Sequence, residues 1–273
     1  MRLLFLLTVF TFNIAVFGQR NGLEKGRKGD VYFYWGWNLS GYTPSTITFT
    51  GENYDFSLEK VCAQNRPSPL DAKIYLSPTK FTIPQYNFRL GYFINDTYNI
   101  SFGIDHMKYV MVSYQDTRID GNIENTNTVH DGVYANEPIT ITPDFLKFEH
   151  TDGLNYLNIE LRRLDEINSN NKFSFKVVSG VGAGLIVPRT NVTLMNYERY
   201  DEFNIAGFGV AIMGGLYFEM FQRVFIQFEA KTGYINLPNV RTTHDKIDRA
   251  KQDFCFLQVN AVLGVKLFGK KSL

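Results

Sequence analysis

The strongest constraint on the fold is a pair of adjacent segments within residues 206–234 in which apolar residues recur at every second position. The apolar parity holds Phe208, Val210, Ile212, Leu216 and Phe218 in the first segment, and Val224, Ile226, Phe228 and Ala230 in the second. The opposite parity is mostly glycine and other small residues in the first segment, and amide or charged residues in the second. Successive strand residues point to opposite faces. The two segments therefore predict a β-hairpin with one apolar face and one mixed face.

This combination of faces is typical of a membrane barrel, whose apolar exterior meets lipid and whose polar interior forms a lumen. The same alternation recurs at 31–39, 86–94, 98–104, 154–161, 173–187 and 254–268. We therefore predict an all-β protein, a closed antiparallel up-and-down transmembrane β-barrel of eight strands. The alternative is ten strands, which would require segment 46–58 to enter the membrane as well.

The chain start resembles an export signal in its layout. Residues 1–18 combine a charged tip, a short apolar stretch and a small residue, which predicts a secretory signal peptide. Residues 19–29 predict a flexible lead-in and residues 30–273 the barrel itself. We expect export to the outer membrane of a Gram-negative bacterium. The net charge of +1 gives no indication of nucleic-acid binding, and no motif calls for a cofactor.

The lengths of the connections predict the orientation of the barrel. Such barrels have short turns on the periplasmic side and long connections on the extracellular side. Polar breaks at 95–97, 165–171 and 220–223 are short, whereas the remaining connections are long. We therefore expect both termini in the periplasm and long extracellular loops outside.

The predicted lumen contains charges of both signs. The inward parity carries Arg89, Glu160, Arg162, Lys176, Glu229 and Lys231. An eight-stranded barrel is just wide enough for its own side chains to fill. Because an unpaired buried charge is costly, we expect these residues to form a charge network that plugs the lumen. A general porin is therefore a poor interpretation.

A second set of polar residues is predicted at the outer rim, next to the second long loop. It comprises Asp105, His106, Glu149, His150 and Asp152. Two histidines with carboxylates could bind a divalent metal, or one could act as a base with an orienting carboxylate. The alternative is a polar rim that meets water and lipopolysaccharide head groups, with Lys108 and Lys147 contributing.

The two cysteines leave two interpretations open. Cys62 lies in the first predicted loop, and Cys255 lies at the outer end of the last predicted strand. Because the last strand closes against the first, a disulfide could join that loop to the barrel wall. The other interpretation is two free thiols.

Several segments together resemble a family of outer-membrane β-barrel proteins of Bacteroidetes-type bacteria. They are residues 30–37, 84–89, 105–109, 148–156 and 198–203, and the likeness extends over the mature chain. The resemblance implies a Gram-negative outer membrane, but no activity that could be transferred. The first functional hypothesis is therefore a structural or interaction protein. Its expected partners are outer-membrane lipid, lipopolysaccharide and an envelope protein.

A shorter resemblance supports an alternative function. Residues 149–153 are similar to the His-x-Ser motif of outer-membrane lipid A deacylases, in which His150 would be the base and Glu149 a neighbouring carboxylate. The nucleophile position holds Asp152 instead of serine, and Thr151 provides the nearby hydroxyl. The alternative hypothesis is thus a lipid-modifying hydrolase with a site around His150. A third is a small-solute channel, which requires the lumen charges to separate.

Overall fold

The computed structural model describes residues 27–69, 71–75 and 84–268. The predicted signal peptide, 1–18, and most of the lead-in lie outside the described residues. The strands are β1 (Val31–Tyr42), β2 (Ser45–Thr50), β3 (Tyr54–Val61), β4 (Ala63–Gln64), β5 (Tyr86–Phe93), β6 (Tyr98–Met111), β7 (Asp116–Ile123), β8 (Gly132–Thr140), β9 (Leu146–Ser169), β10 (Phe173–Leu194), β11 (Tyr200–Phe203), β12 (Gly207–Met220), β13 (Val224–Arg241) and β14 (Arg249–Phe268). One short helix, α1 (Ala72–Tyr75), follows β4. No helix within the described ranges is long and apolar enough to cross a membrane.

Eight of the strands close into an antiparallel ring. The order around it is β1, β5, β6, β9, β10, β12, β13 and β14, and β14 pairs again with β1. This closing seam runs from the pair Val31 and Phe268 to the pair Tyr42 and Phe256. Ring neighbours follow one another along the chain once the inserted strands are set aside, so the topology is up-and-down. The predicted eight-stranded barrel of the outer-membrane type is confirmed.

The outer wall of the ring is an apolar belt. Ile159, Val181 and Ile212 are each more than half exposed, although all three are large apolar residues. Their neighbours along the strands turn inward and are buried, as Glu160 and Met213 are. A continuous exposed belt of this kind is expected where lipid, not water, covers the wall.

Short turns join the strands at one end of the barrel. The turn after β12 has φ angles of 53° at Phe221 and 58° at Gln222. Two consecutive left-handed residues are the geometry of a type I′ turn, whose twist matches that of the flanking strands. Both described termini, Arg27 and Phe268, lie at this same end. The long connections all leave from the opposite end.

The long connections at this end are folded, and together they form a β-structure that we call the cap. The cap consists of β2, β3, β4, β7, β8 and β11 together with the outer ends of β6, β9, β10, β13 and β14. Its first hairpin joins the barrel through β14, where residues Arg249 to Gln252 pair with β2. The ten-stranded alternative is therefore wrong. Segment 46–58 forms β2 and β3, which pair beyond the ring and not within it.

The cap has a large hydrophobic core of its own. Phe49 on β2 and Phe148 on β9 pack edge to face, with ring centroids 5.8 Å apart. Phe56 on β3 packs in a tilted arrangement on Phe145, just before β9, with ring centroids 5.6 Å apart. Ile47, Leu58, Ile119, Leu146, Val192 and Leu237 belong to the same buried cluster. The core lies above the lumen and closes the barrel at its outer end.

Candidate functional site

The middle of the lumen holds a compact network of six charged side chains. Lys231 Nζ lies 2.6 Å from Asp105 Oδ2 and 2.7 Å from Glu160 Oε1. The guanidinium of Arg89 lies 3.0 Å from Glu160, and that of Arg162 lies 3.0 Å from Glu229. These six comprise three cations and three carboxylates, so the network is formally neutral. Every side chain in it is at most 2% exposed.

Neutral side chains complete the hydrogen bonding of this network. The Tyr34 hydroxyl accepts hydrogen bonds from Arg89 Nε at 2.9 Å and from Arg162 Nη2 at 3.0 Å. Arg89 Nη2 donates to Asn158 Oδ1 at 2.9 Å, and Asn260 Nδ2 donates to Glu229 Oε1 at 3.1 Å. Buried ions are tolerated when their remaining donors and acceptors are satisfied in this way. The charges of the network neutralise one another, and all six side chains are buried.

Glycines on β10 provide the space for the network. A Cβ added at Gly182 would lie 2.6 Å from Cγ of Glu160, which is closer than real Cβ contacts come. Gly180 faces Arg162 in the same way, at 3.1 Å from its Cγ. The glycines of β10 therefore accommodate the long charged side chains of β9.

Lys176, predicted as part of this network, belongs to a second one. Its Nζ lies 2.7 Å from Glu219 Oε2, and Lys266 Nζ lies 2.7 Å from Glu219 Oε1. Lys266 also lies 4.0 Å from Asp30. Lys176 is near the start of β10, so it reaches partners at the turn end of the barrel and not the middle. Two cations and two carboxylates balance here as well.

Three participants were missed or misplaced by the sequence prediction. Asp105 was placed at the rim, yet its parity on β6 matches the inward residues Asn99 and Ser101, and it lies in the lumen. Glu219 likewise shares the inward parity of Tyr217 on β12. Lys266, which shares the inward parity of Gln258 and Asn260 on β14, was not among the predicted charges. Strict use of strand parity would have placed all three.

An aromatic layer separates the two charge networks. Tyr217 stacks on Phe225 with ring centroids 4.6 Å apart, and Tyr32 meets Phe225 edge to face at 6.0 Å. A cavity of about 10 Å³ at this level is lined by Tyr32, Phe93, Arg162, Leu164, Tyr217 and Gln227. That volume is at the lower limit for one water molecule. The lumen is therefore filled by two charge networks with the aromatic layer between them, and the cap core lies above.

The residues predicted to meet at the rim do not converge. Asp105 lies in the lumen, whereas the His106 ring lies on the outer wall, stacked on Tyr86 with centroids 4.8 Å apart. Glu149 is paired with Arg66 at 2.9 Å, and Asp152 with Arg189 at 2.7 Å. No group of three metal-binding side chains occurs in the described part of the chain. The divalent-metal hypothesis therefore has no geometric basis here.

His150, the proposed base, is buried in the cap core instead of exposed at a rim. Its Nδ1 lies 3.0 Å from Thr190 Oγ1, and its ring packs against Tyr109 and Phe148. Its Nε2 has no hydrogen-bond partner among the described atoms. Burial alone lowers the pKa of His150 to about 3. A base for acyl transfer must reach its substrate and activate a hydroxyl, so this arrangement gives the hydrolase hypothesis no support.

The two cysteines are free and exposed. The Cys62 carbonyl accepts a hydrogen bond from Val112, just beyond β6, whereas the Cys255 carbonyl accepts one from Thr43, just beyond β1. Strands β6 and β14 are separated in the ring by β5 and β1. The disulfide interpretation fails because the two cysteines attach to different parts of the wall.

Comparison with known proteins concerns only the fold. No protein-family model and no curated protein matches the sequence, so the resemblance to a Bacteroidetes-type family stays a prediction.

Solved structures of small outer-membrane barrels are similar in outline. The outer membrane protein OprG from Pseudomonas aeruginosa is 10% identical, with 89% of this chain and 98% of that chain covered and a TM-score of 0.41. AlkL in lipid bilayers is 11% identical, with 93% and 99% covered and a TM-score of 0.39. Neisserial surface protein A is 12% identical, with 87% and 97% covered and a TM-score of 0.35. At these scores the likenesses add nothing to the fold that the strand pairing itself establishes.

Proposed function

We propose that this protein is an integral outer-membrane barrel with a plugged lumen that acts as a structural or interaction protein through its cap. The observation that carries the proposal is the filled interior, in which two balanced charge networks and an aromatic layer occupy the lumen beneath the cap core. A barrel filled in this way is a poor conduit. The cap is then the part of the protein that can bind a partner outside the membrane.

The apolar belt supports the location. Lipid-facing residues such as Phe228 and Leu263 are more than half exposed on the ring, which would be unfavourable in water. The long connections gather at one end, as they do on the extracellular side of such barrels. We therefore place the cap outside the cell, at the level of lipopolysaccharide, with outer-membrane lipid and an envelope protein as the expected partners.

The cap supports an interaction role because it has more structure than closing a barrel requires. Its strands β2, β3, β7 and β8 extend the wall sheet beyond the ring and bury a separate apolar core. Ordered backbone costs roughly 1–2 kcal/mol of conformational entropy per residue. The ordered backbone of the cap produces a rigid surface at a fixed distance from the membrane.

Planar lipid bilayers test the plugged lumen directly. We expect the purified full-length protein to insert without producing discrete ion-conducting steps, because no continuous aqueous path crosses the charge networks. A general porin inserted under the same conditions serves as the control for the recording. Large, reproducible single-channel currents from this protein would contradict the proposal and favour the small-solute channel.

A further inference from the structure

Strand β8 leaves one edge of the cap sheet unpaired. Among the described strands it pairs only with β7, and it ends the hydrogen-bonded path that begins in the barrel wall. An edge strand presents a row of backbone N–H and C=O groups that another extended chain can pair with. The question is whether this edge is protected against such pairing.

The two halves of β8 differ in this respect. In the half nearer β9, Pro138 has no backbone N–H, and Asn136 has a φ of 56° that interrupts the ladder at a register shift. Arg118 binds the side chain and carbonyl of Asn136 and fixes this irregularity. Proline and bulges are the usual protection of a sheet edge. The other half, Gly132 to Ala135, has none of these features.

The unprotected half is flanked by exposed apolar side chains. Val133 is 80% exposed and Val129, just before the strand, is 91% exposed. Both lie in the cap, away from the apolar belt, so lipid does not explain their exposure. Tyr134 turns the other way and packs against the cap core, which holds this part of β8 in place.

The surroundings of this edge are strongly acidic. Between positions 116 and 137 the chain has five carboxylates and one arginine: Asp116, Arg118, Asp120, Glu124, Asp131 and Glu137. All six side chains are exposed. None of these five carboxylates forms an ion pair with a described cation within 4.0 Å, and Arg118 binds Asn136. Five carboxylates and one arginine give this hairpin a net charge of −4, which favours a basic partner.

We propose that the edge formed by Gly132 to Ala135 binds an extended, basic segment of a partner protein as an added antiparallel or parallel strand. Backbone hydrogen bonds would supply the affinity, and the five carboxylates would select a cationic segment. This surface serves the interaction role proposed above and depends on it. It assigns that role to one edge of the cap and to one class of partner.

A synthetic peptide tests the site in the full-length protein, held in phosphatidylcholine nanodiscs. The peptide alternates Lys and Thr over about eight residues, a typical strand length. We expect it to bind, to weaken steeply with added salt, and to slow amide exchange at Gly132 to Ala135. A peptide of the same sequence with every backbone nitrogen methylated keeps its charge but cannot pair as a strand, so it should not bind.

Two double variants separate this edge from general charge attraction. Replacing Asp120→Asn and Glu124→Gln, which flank the β7 residues that pair with Gly132 to Tyr134, should weaken peptide binding about fivefold or more. The matched control, Asp96→Asn with Asp165→Asn, removes the same charge from the turn end of the barrel, opposite the cap, and should leave binding unchanged.

Three results would overturn the site: no binding of the unmethylated peptide, equal binding of the methylated one, or equal loss in both double variants. Self-association of the protein through β8 would overturn the choice of partner. None of these results would change the expected conductance, so the bilayer recordings test the plugged lumen independently of this site.

Discussion

At the scale of single residues, Lys231 is the residue on which the lumen network depends most. It contacts Asp105 and Glu160 directly and lies 3.7 Å from Glu229. Lys231→Met leaves three buried carboxylates with two cations, and removing one partner from a buried ion network costs about 3–5 kcal/mol. We expect a corresponding fall in the free energy of unfolding, measured by urea titration in lipid vesicles.

Two further variants decide whether charge balance is the cause. Adding Asp105→Asn to Lys231→Met restores two cations against two carboxylates and should recover part of the lost stability. Arg163→Met breaks an exposed pair with Asp165 and should cost at most about 1 kcal/mol. A full loss of stability in the rescued double variant would show that Lys231 acts by packing and not by charge.

His150 gives the cap a pH dependence of known sign. Its pKa is lowered to about 3 by burial, whereas in the unfolded chain it is about 6.5. Above pH 6.5 both states are neutral. As the pH falls from 6.5 toward 3 only the unfolded state gains the proton, so stability falls by up to about 1.4 kcal/mol per pH unit.

Protease susceptibility of the cap, followed across this pH window, measures the effect. We expect cleavage within the cap to increase as the pH falls, and His150→Phe to flatten the dependence. His244→Gln is the control, because His244 is half exposed. An unchanged pH profile in His150→Phe would mean that other groups control it.

The residue scale also shows what the sequence could predict. Alternation placed the charged side chains Arg89, Glu160, Arg162, Glu229 and Lys231 on the inside, where the structure has them. Alternation could not predict their partners, because pairing across a lumen depends on the stagger between strands. A single parity for each strand could not predict the burial of His150 either, because the inward face of β9 changes from polar to apolar where the strand enters the cap.

At the scale of elements, the cap could have been recognised from a change of phase within single strands. On β9 the apolar parity is odd at Leu157, Ile159 and Leu161, which face outward. It becomes even at Phe148 and Tyr156, which face inward. The strand keeps the same orientation throughout, but the environment of each of its two faces changes. Lipid covers the outside of the belt, and the cap core fills the inside above it.

The inversion explains which boundaries were predicted poorly. Strand β9 was expected from position 154 and begins at 146, and β14 was expected from 254 and begins at 249. Both missed parts belong to the cap, where the apolar parity is reversed. A search for a single parity along each strand stops where the parity changes. A search that allows one change would continue into the cap.

Paired substitutions on the two sides of the inversion test its meaning. Phe148→Ala removes a buried ring from the cap core and should cost about 3–5 kcal/mol there. Phe228→Ala removes a ring from the outer wall, where the side chain is 59% exposed. We expect proteases to cleave the cap of the first variant while the barrel keeps its heat-modifiable mobility on gels. The second variant should leave the cap protected. Protease sensitivity that rises equally in both variants would show that cap and barrel unfold as one unit.

At the scale of the whole molecule, the barrel and the cap distribute their polar and apolar residues in opposite ways. The barrel has a polar interior and an apolar exterior, whereas the cap has an apolar core and a polar surface. Both arrangements follow from one rule, because apolar side chains avoid water in each case. The boundary between them marks where the membrane surface lies, and it requires the belt to be covered by lipid.

Trp35 and Trp37 report on this requirement, because they are the only two tryptophans in the chain and share the outward parity of β1. Trp35 stacks on Tyr86 with ring centroids 4.5 Å apart, so it is fixed on the wall. We expect lipids brominated in the acyl chain to quench the fluorescence of the reconstituted protein strongly, and aqueous iodide to quench it weakly. Trp37→Phe isolates Trp35 and should preserve this ratio. If iodide quenched the fluorescence and brominated lipid did not, the wall would face water and the assignment of the belt to the membrane would fail.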